Sequence, residues 1–277
     1  RLYLKTVCVA LLIGIWPIAS SPKKIRTESV NFPPPQVPPP PQNRVRYSGQ
    51  QQVRFSAQRK NLNPYTASNA IIAANLGLFV WGYISDAMRP GTFNGISQFQ
   101  FDMGLAREFL DAGEWYRLIS SGFLHFGVLH VGMNMFLLYQ LSRMLEPTLG
   151  SVKFTLVYFA SLFGGAAGAL ILSPNALTGG ASGAVFGMMA AAIVGMRQRG
   201  VNPLQTGLGL TFVINIVLTL AIPNISVGGH FGGALAGAAC GVFVLAPAKW
   251  RLPRWTEFVM PIAIGVVAAA IAVTPSL

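Results

Sequence analysis

The chain has 277 residues, of which 52% are hydrophobic and only 10% are charged, and its mean hydropathy is +0.52. Because soluble domains carry about 25% charged residues, this composition excludes a soluble globular protein and indicates an all-α polytopic membrane protein. The net charge of +12 comes from basic residues of which half precede residue 61, so we read it as a topology signal and predict a lipid bilayer, and no nucleic acid, as partner. Cys8 and Cys240 lack the spacing of a disulfide framework or metal site, and we expect no metal and no cofactor.

Residues 1–20 contain a short apolar run, Val7 to Ile18, whereas a transmembrane helix needs about 20 residues. The run could be a signal-like segment, an interfacial segment or an upstream translation artefact, and we expect it to have no role in the core. Residues 21–64 are rich in proline and in basic residues, which favours polyproline II and offers too little apolar surface for a core. We predict a disordered cytoplasmic region here, whose cations could contact anionic lipid headgroups.

Seven apolar stretches follow, separated by Pro, Gly or charged residues, and we predict that each is a transmembrane helix. If the N-terminus is cytoplasmic, seventeen Lys and Arg lie in segments on the inside and three lie in outside loops. The positive-inside rule therefore favours a multi-pass protein with a cytoplasmic N-terminus. The predicted spans are about 67–85, 118–143, 151–173, 182–197, 204–222, 228–246 and 257–275.

The first outside loop, about 86–117, carries five of the eight acidic residues, interspersed with aromatic side chains. A merely solvated connector would not need so many aromatic residues. We predict short amphipathic helices that lie in the outer membrane interface, with Trp115 at the level of the headgroups.

Strongly polar residues occur at the outer ends of the spans, where each is costly to bury and by default indicates function. The second span opens with His125, His130 and Asn134, and the last two share a helical face because they are four residues apart. His230 opens the sixth span, which also starts outside. A single residue of this kind could simply hydrogen-bond a neighbouring helix, but three at one end of a span indicate a site.

Ser182 opens the fourth span and is flanked by small residues. The helix from Gly183 to Met196 has 14 residues and would be about 21 Å long, whereas the hydrocarbon core is about 30 Å thick. We therefore predict that Ser182 lies below the outer surface, beneath a wet pocket. The small residues could also serve only helix packing, but His230 starts its own span at a similar depth on the same side.

A hydrogen bond between Ser182 and His230 would supply a nucleophile and a general base. Glycines at 229, 233 and 237 would let their two helices approach closely. Because the only carboxylates after residue 117 lie near cytoplasmic ends of spans, we expect a dyad without an acid, with Phe186 packed against the imidazole. The oxyanion could be bound by the Ser182 backbone N–H together with His130 and Asn134.

The residues in this order resemble the rhomboid family of intramembrane serine proteases. The resemblance rests on His125-xxxx-His130-xxx-Asn134, on Gly180-Ala181-Ser182-Gly183 and on His230 at the start of a glycine-rich helix. Glu114-Trp115-Tyr116-Arg117 is similar to the family's tryptophan-arginine motif, with one residue between the two. The resemblance implies a six-helix core over 65–250, followed by one extra C-terminal transmembrane helix at 257–275.

The same resemblance implies roles for individual residues. Ser182 would be the nucleophile and His230 the base. Glu146 would match the family's structural glutamate, and Phe186 stands where many members have tyrosine. The oxyanion hole would be formed by His130, Asn134 and the Ser182 amide, in the motif that begins at Gly180.

The family also implies transmembrane protein substrates with a single span, cut near the outer face of the membrane. A helical peptide bond must unwind before it is attacked, so Gly, Pro or small residues near the cut would favour cleavage. Substrate entry would be sideways from lipid, near the second and fifth spans. The layout fits a bacterial plasma membrane, and the mitochondrial inner membrane is the alternative.

Other functions are less compatible with the residues present. A non-catalytic member of the same fold would bind membrane clients, but it would typically lack the serine or the histidine. A transporter or channel would place ionisable groups along a path through the membrane, whereas these histidines stay on one side. A soluble hydrolase elbow needs Gly-x-Ser-x-Gly, and Ala184 stands at its final position.

Overall fold

A computed structural model of the chain describes residues 64–88, 91–93 and 95–274. The predictions for residues 1–20 and 21–63 lie outside the described residues. The regular structure within them is helical apart from two short antiparallel strands, β1 (Thr92–Phe93) and β2 (Ile96–Ser97). The prediction of an all-α polytopic membrane protein is confirmed.

Each of the seven predicted spans corresponds to a long helix, and shorter elements connect them. In the first loop these are α2 (Gln98–Met103), α3 (Arg107–Asp111) and α4 (Arg117–Ser120), so the predicted short helices are present. Single 3₁₀ turns cover Ser121–Phe123, Pro203–Gln205 and Ala248–Trp250. The long helices are α1 (Thr66–Met88), α5 (Val128–Leu149), α6 (Ser151–Leu172), α7 (Ser182–Gln198), α8 (Gly207–Ala221), α9 (Val227–Val244) and α10 (Thr256–Val273).

The long helices differ in their capacity to cross a membrane. By length and composition, α1, α6, α9 and α10 are long and apolar enough to span it. With 17 and 15 residues, α7 and α8 are shorter. Their lengths of about 25 and 22 Å fall below the roughly 30 Å of the hydrocarbon core.

The predicted span over 118–143 is not one continuous helix. The segment Arg117–Phe123 meets α5 at an angle of 95°. The backbone is extended at Leu124 and at Gly127 in the break between them, and a Cβ added to Gly122 would collide with the Leu162 side chain of α6. The turn is thus packed against the core, and α5 begins only at Val128.

Glycines bring α6, α7 and α9 together at the centre of the protein. On one face of α9, a Cβ added to Gly233 would collide with the backbone of Gly183, and one added to Gly237 with that of Gly187. This is the close approach that the sequence predicted between the fourth and sixth spans. Within a membrane, van der Waals packing of this kind is a main force that joins helices.

A second glycine face of α9 was not anticipated from the sequence. Gly228 and Gly232 lie against Gly164 and Gly168 of α6, and a Cβ at any of the four would collide with the backbone of the facing helix. Because the two sets of glycines lie on different sides of one helix, α9 is packed between α6 and α7. This packing fixes the position of the helix that carries His230.

The helix α10 is bonded to the rest of the protein at both ends. Near its start, Glu257 pairs with Lys153 of α6, with 2.5 Å between Oε2 and Nζ. Near its end, the buried Arg107 of α3 donates through Nη1 to the carbonyls of Ala272 and Thr274, at 2.8 and 3.0 Å. The last carbonyls of a helix lack partners within it, and a cation there also complements the helix dipole.

Glu146 anchors the start of α1 from the end of α5 that lies far from the histidines. Its buried carboxylate accepts hydrogen bonds from the backbone N–H groups of Ala67 at 2.8 Å and Ser68 at 3.0 Å. The Ser151 hydroxyl donates a third, at 2.7 Å. The first N–H groups of a helix need acceptors outside it, and a carboxylate supplies them while complementing the dipole. These are the contacts of a structural residue.

Candidate active site

Ser182 is the first residue of α7, and the backbone before it is bonded to the first loop. Leu105 and Thr178 exchange two backbone hydrogen bonds of 2.9 and 2.8 Å, and the Gly180 N–H donates to the Ser121 carbonyl at 2.8 Å. The hydrogen-bonding groups of this irregular backbone are therefore paired with other parts of the protein. Such pairing is required of irregular backbone within a membrane. Because the first N–H groups of α7 have no acceptor within the helix, backbone donors lie beside the serine hydroxyl.

The side chains of Ser182 and His130 both lie close to Gly180. A Cβ added to Gly180 would lie 2.8 Å from Nε2 of His130 and 3.7 Å from Oγ of Ser182. The φ angle of Gly180 is +134°, which also favours glycine. Residues of the second and fourth predicted spans therefore meet across the Cα of this glycine, with no room for a side chain between them.

His130 and Asn134 lie one turn apart on α5. The Asn134 side-chain amide donates to the His130 carbonyl at 3.1 Å, and an amide group has a second hydrogen to offer. On the His130 ring, Nδ1 lies 3.5 Å from the Phe126 backbone nitrogen, a long hydrogen bond. If Nδ1 accepts that bond, Nε2 carries the ring proton and can donate toward the space near Ser182.

His125 lies in the break before α5 and not in a first helical turn, which corrects the sequence interpretation. Its side chain is buried, and Nδ1 lies 3.3 Å from the Phe123 carbonyl. Its ring packs edge-on to the ring of His130, with 5.0 Å between the centroids. His125 therefore contacts the site through His130.

His230 is a residue of α9, and its side chain packs between Phe186 of α7 and Thr219 of α8. Its ring stacks on that of Phe186, one turn after Ser182, with 4.1 Å between the centroids and 17° between the planes. The predicted contact between these two rings is present. Among the hydrogen bonds of the described residues, none joins Ser182 Oγ to His230. Bonds between catalytic groups are often long or poorly aligned before a substrate binds.

The hydrogen-bond partner of His230 is a residue that the sequence pattern did not single out for this role. Thr219 of α8 places Oγ1 2.7 Å from Nδ1 of His230, and both side chains are buried. A signal was available in the sequence, because Thr211, Asn215 and Thr219 recur every four residues. They form a polar stripe on one face of an otherwise apolar helix.

Arg117 organises the first loop from its interior. It is buried, and Nη1 donates to the carbonyls of Phe101 at 2.5 Å and Gly104 at 2.7 Å. Its Nε donates to the Glu114 carboxylate at 2.6 Å, and this hydrogen bond holds the pKa of Glu114 below its usual range. Trp115, by contrast, is 64% exposed, which would suit a side chain among lipid headgroups.

Replacing Arg117 by glutamine is expected to destabilise the first loop by about 2–4 kcal/mol. Two carbonyls lose a charged donor, and the cation 3.9 Å from the centroid of the Phe109 ring is removed. The Glu114→Gln variant removes only the charge of the more exposed partner, so its effect is expected to be small. Limited proteolysis with mass spectrometry of the fragments measures opening of residues 98–123. Equal protection of the two variants would show that Arg117 does not hold the loop.

Similarity to known proteins covers the residues of this site. The model of the Rhomboid domain matches residues 112–247. Rhomboid protease GluP of Bacillus subtilis is 30% identical over 164 residues, which are 58% of this chain and 31% of that protein. RHOMBOID-like protein 6, mitochondrial, of Arabidopsis thaliana is 26% identical over 209 residues, 74% of this chain and 59% of the relative. Rhomboid-like protease 1 of Toxoplasma gondii is 32% identical over 166 residues, which are 57% of this chain and 56% of that protein. The chain thus spans from 31% to 59% of the length of these relatives.

Proposed function

Because this chain belongs to the rhomboid family, we propose that it is an intramembrane serine endopeptidase with a catalytic dyad of Ser182 and His230. Its substrates are membrane proteins with a single span, cut near the outer face of the membrane. Relatives in Bacillus subtilis and Toxoplasma gondii are named proteases, which supports peptide-bond hydrolysis at the level of the family.

The observation that carries the proposal is the meeting of three elements at the start of α7. Gly180 places the His130 ring near Ser182, and Phe186 holds His230 one turn further along. A hydroxyl, a basic imidazole and N–H donors therefore lie near the first turn of α7. Acyl transfer needs these three components as nucleophile, general base and oxyanion donors.

In the proposed reaction, Ser182 Oγ attacks the scissile carbonyl carbon while its proton passes to His230. The oxyanion accepts hydrogen bonds from the Ser182 N–H, from His130 and from the Asn134 amide. The C–N bond then breaks, and His230 returns the proton to the leaving amine, which leaves an ester on Ser182. Water attacks the ester, gives a proton through His230 to Ser182 Oγ, and releases the new carboxyl terminus.

The length of α7 supports cleavage inside the membrane. At about 25 Å it is shorter than the hydrocarbon core, so one end must lie below the surface. Arg197 in its last turn favours the cytoplasmic interface for that end, which leaves Ser182 as the sunken end on the outer side. We place this side at the outer face of a bacterial plasma membrane. The mitochondrial inner membrane is the alternative, and one relative is named mitochondrial.

We further propose that the substrate enters laterally between α5 and α8, and a groove between these helices lies toward their cytoplasmic halves. It is lined mainly by apolar side chains, among them Phe136 and Leu141 of α5 and Leu208 of α8. Few residues of α8 are buried, so this helix is held by fewer side chains than the central three. A substrate helix that entered here would have to unwind before attack, since helical peptide bonds are hydrogen-bonded and covered by side chains.

The test uses the purified full chain in liposomes with a tagged single-span substrate that has Gly and Pro near its outer membrane boundary. We expect one cut near that boundary, located by mass spectrometry, and block of cleavage by a fluorophosphonate with its adduct on Ser182. The Ser161→Ala variant, which lacks a buried serine of α6, should react like the wild type. Capture of the substrate without cleavage and without an adduct would favour the non-catalytic client-binding function instead.

A further inference from the structure

We propose that Thr219 fixes the tautomer of His230, and so has the positioning role that an acidic residue has in a catalytic triad. The catalytic consequence rests on the proposed function. The structural part concerns only which nitrogen of His230 carries the proton, and it can be measured whether or not the chain cleaves a substrate.

The Thr219 hydroxyl makes two hydrogen bonds with a single hydrogen. Its Oγ1 lies 2.7 Å from the Asn215 carbonyl oxygen and 2.7 Å from Nδ1 of His230. A carbonyl can only accept, so the hydroxyl hydrogen points to Asn215. The second bond then requires that Nδ1 of His230 is the donor. The reverse arrangement would leave two acceptor oxygens 2.7 Å apart with no hydrogen between them.

This assignment places the basic atom of His230. A neutral imidazole has one N–H, so a proton on Nδ1 leaves the lone pair on Nε2. Nε2 is then the atom that can remove the proton from Ser182. When the ring becomes cationic during the reaction, Nδ1 still donates to Thr219, whose oxygen is made a better acceptor by its own bond to Asn215.

Thr219 can have this role because no carboxylate is hydrogen-bonded to His230 among the described residues, where Thr219 is its side-chain partner. Glu146 is bonded to the start of α1, and Glu257 to Lys153. Thr219 is only 2% exposed, and its bond to the Asn215 carbonyl holds the hydroxyl in one orientation. With the Phe186 ring stacked on the imidazole, His230 is held by one aromatic face and one fixed acceptor.

The first test compares kinetic constants of the full-length Thr219→Val and Thr219→Ser variants. Valine removes the hydroxyl and nearly keeps the shape, so kcat is expected to fall about five- to tenfold, the factor of an ordinary hydrogen bond, with KM nearly unchanged. Serine keeps the hydroxyl and should restore kcat. The Thr155→Val variant is the matched control and should leave kcat unchanged, because Thr155 makes the same bond to a carbonyl four residues earlier in α6. A loss in the valine variant that serine does not restore would indicate packing and overturn the positioning role.

The second test reads the tautomer directly by ¹⁵N NMR of the full chain labelled at histidine. The chain has three histidines, and a His230→Gln variant identifies the signals of His230. We expect a protonated Nδ1 and a bare Nε2 in the wild type and in Thr219→Ser, and a shift of the proton toward Nε2 in Thr219→Val. A proton on Nε2 in the wild type, or no change in the valine variant, would overturn the proposal. If the chain cleaves no substrate, the proposed function fails, and this spectrum still decides the tautomer.

Discussion

Cleavage by the Ser182→Ala variant and by the His230→Ala variant is expected to fall about 10⁴-fold or more, and the double variant should be no slower than either. The two side chains act on one proton in one step, so removing either abolishes nearly the whole contribution of the pair. What remains reports the oxyanion donors and the positioning of the substrate. Initial rates from long incubations with the tagged single-span substrate measure all three variants.

The matched control for this series is Ser161→Ala. Ser161 is a fully buried serine of α6, and its Oγ has no hydrogen-bond partner within the described part of the chain. Its removal should leave the rate unchanged. Cleavage that survives Ser182→Ala would mean that the small residues at the start of α7 serve packing only. Losses that add up in the double variant would show that Ser182 and His230 act independently.

Replacing Gly237 by alanine is expected to destabilise the protein by about 3 kcal/mol or more. The new Cβ would collide with the carbonyl oxygen, the carbonyl carbon and the Cα of Gly187. These are backbone atoms of α7, so no side-chain rotation relieves the collision, and α7 and α9 must separate along their contact. Thermal unfolding of the purified chain in detergent measures the loss.

The control for Gly237→Ala is Gly77→Ala in α1, where no atom beyond the adjoining helix backbone lies within 4 Å of the added Cβ. Alanine is a better helix former than glycine by up to about 1 kcal/mol, so this variant should unfold at the wild-type temperature or slightly above it. Equal unfolding temperatures for the two variants would mean that α9 can move away from α7 without cost.

Helix positions and one glycine face could be predicted because they depend on local patterns. The apolar stretches located every long helix, and the spacing of Gly233 and Gly237 indicated the contact with α7. The bend before α5 could not be predicted in this way. Leu118 to Leu124 and the residues after Gly127 are mostly apolar and form one stretch in the sequence, and hydropathy records no direction. The bend depends on Gly122 packing against Leu162, a contact between residues far apart in the chain.

The residues of the candidate site also include some that the sequence could indicate and one that it could not. The sequence brought out Ser182, His230 and Phe186, because rare polar groups and a one-turn spacing are visible in a linear chain. The role of Thr219 was not visible, since its stripe on α8 has the same pattern as residues that only bond their own helix. Only the side-by-side placement of α8 and α9 shows that one hydroxyl of the stripe reaches Nδ1 of His230.

The bonds from Arg107 and Lys153 to the two ends of α10 have a consequence for the order of assembly during synthesis. Arg107 lies 165 and 167 residues before the two carbonyls that it bonds, and Lys153 lies 104 residues before Glu257. A growing chain therefore inserts both cations long before their partners leave the ribosome. Until α10 enters the bilayer, the Arg107 side chain lacks these two acceptors. Its site is buried once the protein has folded. Helix α10 thus completes the contacts of the first loop, and a chain synthesised only as far as α9 leaves Arg107 and Lys153 without these partners.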